Sequence, residues 1–315
     1  MIYFAISRIS LKPTRDAQMV TVRFSSANSR DKFSLILHIL SVVHQMILKR
    51  STCTRRELYY QNVNRVKNQS AIDSAVRDLC CLLQVPPWDL GLLATSKGLM
   101  AGPLNFKTSC GHSVLSIYIF LGVLVPQDVI NITAVESAAR FILVVEKDAI
   151  FQKLLDEGAL ERLGPCIIIT GKGYPDVNTR LMLKLLVETL KIPSFALVDA
   201  DPHGIEIMCT YRFGSLAMSH LSQRLAVPSI RWLGVHPSDI SRLGAPGLEL
   251  SPRDVAKARD LLARPYCDTN AALRHQLQLL QENGLKTEIE GIGTMSQAYL
   301  TDRYIPHKIC AKDFI

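Results

Sequence analysis

Asp199 and Asp201 close the run Phe195-Ala-Leu-Val-Asp-Ala-Asp-Pro-His-Gly204. The four apolar residues predict a buried strand, and alternate residues at its end point to one face. Pro202 and Gly204 then break the chain, and an amphipathic run begins at Ile205. Open α/β sheets bind ligands just beyond the carboxyl ends of their strands. Two carboxylates placed there repel each other unless a cation sits between them, and carboxylate oxygens are hard donors suited to Mg²⁺. The alternative is that both acids cap the next helix and bind solvent. Glu146 ends a second apolar run, Phe141 to Val145. If both runs are strands of one parallel sheet, Glu146, Asp199 and Asp201 share an edge and can hold one divalent ion.

A second chemistry is available at Thr54-Arg-Arg-Glu-Leu-Tyr-Tyr60. Neighbours on a helix point about 100° apart, so one tyrosine packs and the other is exposed. An exposed phenol beside Arg55 and Arg56 can attack a phosphodiester, because a guanidinium stabilises phenolate charge and holds the phosphate. A tyrosine that only packs is the plainer reading. Gly171-Lys172-Gly173 follows a third apolar run, Cys166 to Thr170. It could offer amides or a lysine to a phosphate, although it lacks P-loop spacing and serves equally as a tight turn. His203 beside the two aspartates could meet a phosphate or simply face solvent.

The elements that must position these residues follow from periodicity. Phe33, Leu37, Leu40, Val43 and Ile47 recur at helical spacing, ending at Lys49-Arg50, where cations suit the helix dipole. Thr54 and Glu57 have capping-box spacing and start a second helix, carrying Leu58, Tyr59, Tyr60 and Val63. Ser70 to Asp73 starts a third, burying Ile72, Val76, Leu79 and Leu83 and ended by Pro86-Pro87. Leu92 to Gly102 predicts two short strands around a Ser96-Lys97-Gly98 turn. Three helices and a hairpin outline a winged helix-turn-helix, CAP-like domain. Beyond residue 137 strands and helices alternate: helices over 149–155, 178–190 and 204–213, and a further strand over 227–233. That is the pattern of a mostly parallel sheet covered on both faces. Residues 250–315 read as helices. The resulting division is a basic tail over 1–32, the winged-helix domain over 33–106, a connector over 107–137, and the α/β domain with its helical extension over 138–315. Val114 to Val125 predicts a strand or a strand pair.

The chain has 315 residues and a formal charge of +8. Residues 1–107 hold 15 Lys and Arg against 6 Asp and Glu, so the whole excess lies in the first third. A basic module joined to a neutral one points to a polyanion partner. The apolar fraction, 48%, excludes a disordered chain. The eight cysteines show no metal-type spacing, Cys110 and His112 having no second pair, and imply reduced thiols inside a cell. The longest apolar run is too short to span a bilayer, so no membrane partner is expected.

Taken in order, Arg56-Glu-Leu-Tyr-Tyr60, Val144-Val-Glu-Lys-Asp-Ala149, Thr170-Gly-Lys-Gly173 and Leu197-Val-Asp-Ala-Asp-Pro-His-Gly-Ile-Glu-Ile207 form a specific set. The chain strongly resembles the type IIB topoisomerase A-subunit family, and within it the eukaryotic meiotic double-strand-break branch. The resemblance runs from about Phe33 to Trp232 and includes Ile230-Arg-Trp-Leu-Gly-Val235 and Pro237-Ser-Asp-Ile240. It implies a winged-helix domain followed by a Toprim domain. It implies that Tyr60 is the nucleophile, that Arg56 assists it, and that Glu146, Asp199 and Asp201 hold Mg²⁺. The implied product is a 5′-phosphotyrosyl link to double-stranded DNA with a free 3′ hydroxyl. Arg55, Lys97 and Lys172 would contact the DNA. The resemblance further implies a homodimer, a separate ATP-hydrolysing topoisomerase VI B-like subunit, meiotic accessory proteins and a nuclear location on meiotic chromosomes. Residues 107–137 and the ending Lys308 to Ile315 depart from the family pattern. Two rival readings are a haloacid-dehalogenase-type phosphatase, with Asp199 as nucleophile and Asp201 as acid, and a DNA-binding paralogue without catalysis.

Overall fold

Apolar runs without polar alternation belong in strands buried on both faces, and the chain sets three of them side by side, with Arg231–Gly234 as a fourth parallel strand at the edge. The computed structural model describes residues 4–8, 18–49, 51–109, 113–118 and 122–315. Its six-stranded sheet has the order Arg231–Gly234, Ser194–Leu197, Phe141–Val145, Cys166–Thr170, Leu99–Ala101, Val123–Leu124. The first four strands run parallel, and each of the last two pairs antiparallel with the strand before it. Val145 pairs with both Thr170 and Leu197, so three strands end in step. The expected strand over 227–233 is shorter and begins at Arg231.

Each face of the sheet takes alternate residues into its own core. Ile142, Val144, Ile167, Ile169 and Ala196 face the helices Val177–Leu190 and Pro202–Phe213 through Met182, Leu183, Leu186, Ile205 and Met208. Leu143, Val145, Ile168 and Leu197 face the opposite way, against Ile150, Phe151 and Leu154 of the helix Asp148–Asp156 and against Ile289, Ile292 and Leu300. Leu181, Leu185 and Val187 are only half-buried, because the helix turns its 182/183/186 stripe to the sheet.

The chain divides into two compact units, one of residues 1–95 with 219–221, the other of 96–218 with 222–315. The division overturns the expected 92–102 hairpin. Leu92–Leu93 pairs with Cys53–Thr54 in the first unit, whereas Leu99–Ala101 joins the large sheet of the second. The expected turn is instead held open by Asp176, whose carboxylate accepts the amides of Lys97 (3.1 Å) and Gly98 (3.3 Å). The expected boundary at 106 therefore falls inside the second unit.

In the first unit, the helices Ala27–Lys49, Arg55–Gln61 and Gln69–Leu83 enclose Ile36, Ile39, Val43, Met46, Leu58, Ile72, Val76 and Leu79. The first helix starts six residues before Phe33; Phe33 and Val43 are buried as expected, while Ile36, Ile39 and Met46 take the buried places beside Leu37, Leu40 and Ile47. Leu37 and Ile47, expected inside, are 40% and 51% exposed. By length and composition the Ser29–Lys49 segment could cross a bilayer, but its Ile36, Ile39 and Val43 stripe is a core face. The expected tail also contains structure, since Phe4–Arg8 and Gln18–Val22 pair antiparallel. Asn68, not Ser70, caps the third helix, accepting the Ala71 amide at 3.2 Å. Leu83, expected inside, is exposed, and Val63 lies beyond the end of the second helix and is exposed as well.

Thr54 opens the tyrosine-bearing helix with a complete capping box. Its Oγ1 accepts the Glu57 amide at 3.1 Å, and the Glu57 carboxylate accepts the Thr54 amide at 2.6 Å. A seven-residue helix has few other hydrogen bonds to rely on. Thr54→Ala should lower stability by about 1 kcal/mol, read from the urea midpoint at unchanged slope.

Part of the segment 107–137 forms a three-stranded antiparallel sheet in the second unit, with Pro103–Thr108 between Ser113–Tyr118 and Ile132–Ser137. Cys110 and His112, like Arg50, lie outside the described residues. The described cysteines are all free thiols, six of them buried or half-buried. Beyond residue 250 the chain is mainly helical, as expected, with one strand pair, Leu248–Glu249 with Leu285–Lys286.

A charged cluster is buried beneath the last helix, Ile305–Cys310. Lys308 Nζ lies 2.9 Å from Asp239, 3.1 Å from Asp313 and 3.0 Å from His236 Nδ1. His236 Nε2 meets the Trp232 carbonyl at 3.0 Å. Burial, then the Lys308 charge, pushes the imidazole down to about 4 from 6.5. The folded chain thus keeps His236 neutral where the unfolded chain would protonate it. The stability this contributes is complete above pH 6.5 and is lost as pH falls toward 4. Between pH 7 and 5 the natural chain should lose about 2 kcal/mol that His236→Gln does not, measured by urea unfolding at both pH values.

Candidate active site

The in-step strand ends place Glu146 beside Asp199. The Glu146 amide donates to the Leu197 carbonyl at 3.1 Å, and the Asp199 amide donates to Glu146 Oε2 at 2.9 Å. Asp201 follows two residues on and caps the helix Pro202–Phe213, its Oδ1 accepting the Gly204 amide at 2.6 Å. Gly204 must be glycine for steric reasons. A Cβ there would lie 2.5 Å from the Asp199 carbonyl oxygen and 2.9 Å from Glu146 Oε2.

Asp199 is 4% exposed, and both its oxygens have partners. Oδ1 accepts the Ile289 amide at 2.9 Å, and Oδ2 is 2.9 Å from Lys147 Nζ. Lys147 also reaches Glu288 at 3.1 Å and Glu290 at 2.9 Å. The segment carrying these acids is brought to the sheet edge by a backbone bridge in which the Ala200 amide donates to the Thr287 carbonyl at 2.9 Å. Burial first, then the neighbouring carboxylate charges, raises both the Glu146 and Asp199 carboxyls above the usual carboxylate range. For Lys147, burial works against the charge, but hydrogen bonds to Glu290 and Asp199 outweigh it and raise the ammonium well above its ordinary value.

Three carboxylates at neighbouring strand ends, two of them pushed toward the neutral form by burial and like charge, are the hard oxygen donors that suit a divalent cation in type. Among the described residues no three His, Cys, Asp or Glu side chains stand grouped to hold an ion as they are. Lys147 supplies the positive charge on Asp199 instead. Lys147, Glu288 and Glu290 are absent from the sequence-based site. The Glu-x-Glu at 288–290 echoes the Asp-x-Asp at 199–201 and is the signal that points to the two glutamates, while Lys147 directly follows Glu146.

The Gly171-Lys172-Gly173 segment is a tight turn bracing the same edge. The Gly173 amide donates to the Glu146 carbonyl at 2.8 Å, and the Lys172 amide donates to Thr170 Oγ1 at 3.1 Å. With those amides used internally, it is not an anion nest. Lys172 Nζ pairs with Asp148 at 3.0 Å, and Lys97 Nζ donates to the Lys172 carbonyl at 3.4 Å. His203 Nδ1 lies 3.3 Å from Tyr174 Oη, which also donates to Glu206.

In the first unit, Tyr59 packs against the helical core while Tyr60 is 59% exposed. Arg56, one turn earlier, aims Nε and Nη2 at Tyr60 Oη, each at 3.4 Å. Arg55 turns the other way, toward Asp73 at 3.7 Å.

A parallel sheet with a glutamate ending one strand and an Asp-x-Asp ending its neighbour defines the Toprim class of metal-binding domains. Residues 141–309 match the family model for the Toprim domain of Spo11 and the topoisomerase 6 A-type subunit, and residues 31–92 match that for type IIB DNA topoisomerase. The chain is 42% identical over 291 residues to the meiotic recombination protein SPO11 of Homo sapiens, covering 91% of this chain and 74% of that protein. It is 42% identical over 292 residues to the meiotic recombination protein W68 of Drosophila melanogaster, covering 91% and 86%. The A-type subunit of DNA topoisomerase 6 from Arabidopsis thaliana is 33% identical over 295 residues, covering 93% and 69%. The chain belongs to the family of Spo11 and the topoisomerase 6 A-type subunits.

Proposed function

We propose that this protein is a DNA transesterase that makes the double-strand breaks of meiotic recombination. The supporting observation is an exposed phenol, Tyr60, with a guanidinium one helical turn away aimed at its oxygen. Tyr60 Oη attacks the phosphorus of a DNA phosphodiester. The P–O bond to the 3′ oxygen breaks, the phenol proton is lost to solvent, and the leaving oxygen takes up a proton to become a 3′ hydroxyl. The 5′ phosphate stays on Tyr60. Arg56 holds the phosphate and offsets charge on its oxygens. Because the bond energy is kept in the phosphotyrosine, no nucleotide is consumed in the cut.

Glu146, Asp199 and Asp201 would hold Mg²⁺, which when bound supplies Lewis-acid stabilisation of negative charge on the reacting phosphate. The basic first unit, three helices without the expected 92–102 wing hairpin, serves as a DNA-binding module in this reading, with Arg55, Lys97 and Lys172 as further contacts to the phosphate backbone. Cutting both strands takes two tyrosines, hence a homodimer in which the phenol of one copy works with the acids of the other. Meiotic accessory proteins and an ATP-hydrolysing B-like subunit complete the assembly on chromosomes in the nucleus.

The direct test is to purify the protein from meiotic cells under denaturing conditions and map any attached oligonucleotide by mass spectrometry of its peptides. A 5′-linked oligonucleotide on Tyr60 is expected. DNA attached elsewhere, or protein free of DNA in cells that are making breaks, would sink the reading.

A further inference from the structure

We infer that Lys147 is a resident counter-cation of the candidate metal site, and that Glu288 and Glu290 are the place it retires to when a divalent ion takes Asp199. The inference rests on Glu146, Asp199 and Asp201 being the metal ligands. The geometry carries it in three steps. Lys147 Nζ sits 2.9 Å from Asp199 Oδ2, while the Ile289 amide holds the other oxygen at 2.9 Å. An ion that is to use Asp199 must therefore meet an oxygen already in contact with an ammonium. Two like charges will not share that oxygen, so the lysine must give way.

It need not be left uncompensated when it does so. Glu288 and Glu290 already touch the same ammonium at 3.1 and 2.9 Å, and both are far more exposed than Asp199. The lysine stem is long and flexible, so breaking one of three contacts asks only for a small swing. Before the ion arrives, Lys147 keeps a buried carboxylate from standing unpaired, which would otherwise be costly. Afterwards the two glutamates keep the displaced ammonium from repelling the ion. Lys147 is in these terms a positioning residue that sets divalent affinity.

The test is Mn²⁺ binding to the purified full-length chain without DNA, by titration calorimetry, so cleavage is not the readout. Lys147→Met should tighten Mn²⁺ binding about tenfold, and the pair Glu288→Gln with Glu290→Gln should weaken it by a similar factor. In the Lys147→Met background the glutamate changes should shift affinity by less than about twofold, since there is no longer an ammonium to accept. Lys147→Arg keeps the charge and should stay near the natural chain, which guards against a folding artefact in the methionine variant. If the glutamate changes weaken binding equally with and without Lys147, they act only through the general field and the inference fails. It fails also if Lys147→Met does not tighten binding. Should Asp199→Asn leave Mn²⁺ binding intact, the assignment of the metal ligands is what fails.

Discussion

Tyr60→Phe should abolish DNA cleavage and the covalent protein–DNA link while leaving the fold and DNA binding in place. Removing a sole nucleophile lowers turnover by a factor of about 10⁴ or more. The substitution deletes one oxygen from a ring that is 59% exposed and rests on Arg56 and Tyr59. No core contact goes with it, so stability should change by less than about 0.5 kcal/mol. Binding to duplex DNA should keep the same salt dependence, since counterion release depends on lysines and arginines and not on the phenol. The measurement is recovery of protein-linked 5′ oligonucleotides beside a filter-binding titration in salt. Residual linkage in the variant would place the nucleophile elsewhere, and Tyr59 is the neighbour to inspect. Its half-buried position makes it the poorer candidate.

Asp199→Asn should remove divalent binding and cleavage together. Asparagine matches aspartate in size and can still accept the Ile289 amide, so the local backbone is kept. The charge that faces Lys147, and that would face an ion, is lost. A charge pair about 4 Å apart attracts by roughly 4 kcal/mol at an effective dielectric of about 20, and water screening reduces that at this edge. A loss of about 100-fold in Mn²⁺ affinity is the corresponding expectation. Lys147 keeps Glu288 and Glu290 as partners, so no buried charge is orphaned and the variant should fold. A thermal melt and a calorimetric titration on the same sample separate the two effects. Unchanged Mn²⁺ affinity would mean that Asp199 is a structural acid held by Lys147 and nothing more.

The carboxylate half of the candidate site was legible because parallel strands buried on both faces read as unbroken apolar runs; Glu146 and Asp199 each follow one directly, and Asp201 comes two residues after Asp199. Thr54 and Glu57 were legible because a capping box is a local event, closed within three residues. What escaped was settled at long range. The chain over 92–102 has the composition of a hairpin, but Cys53 draws one half into the first unit and the strand Cys166–Thr170 draws the other into the second. The buried stripe of the helix Ala27–Lys49 was displaced because Leu37 and Ile36 satisfy the helical period equally, and only the partner helix Gln69–Leu83 decides between them. Lys147 meets Glu290 across 143 positions, a separation no spacing rule covers.

The acids and the phenol differ in how firmly the architecture ties them down. Asp201 is also the cap of a twelve-residue helix, Asp199 anchors the 289 backbone, and Glu146 tethers the chain at Asp199. Tyr60 has no comparable structural duty. A gene copy released from selection for cutting would therefore be free to drift at position 60 long before folding allowed it to abandon the carboxylates. Among descendants of this chain, an intact acidic trio would be a poor guide to whether an enzyme survives, and the letter at position 60 a good one.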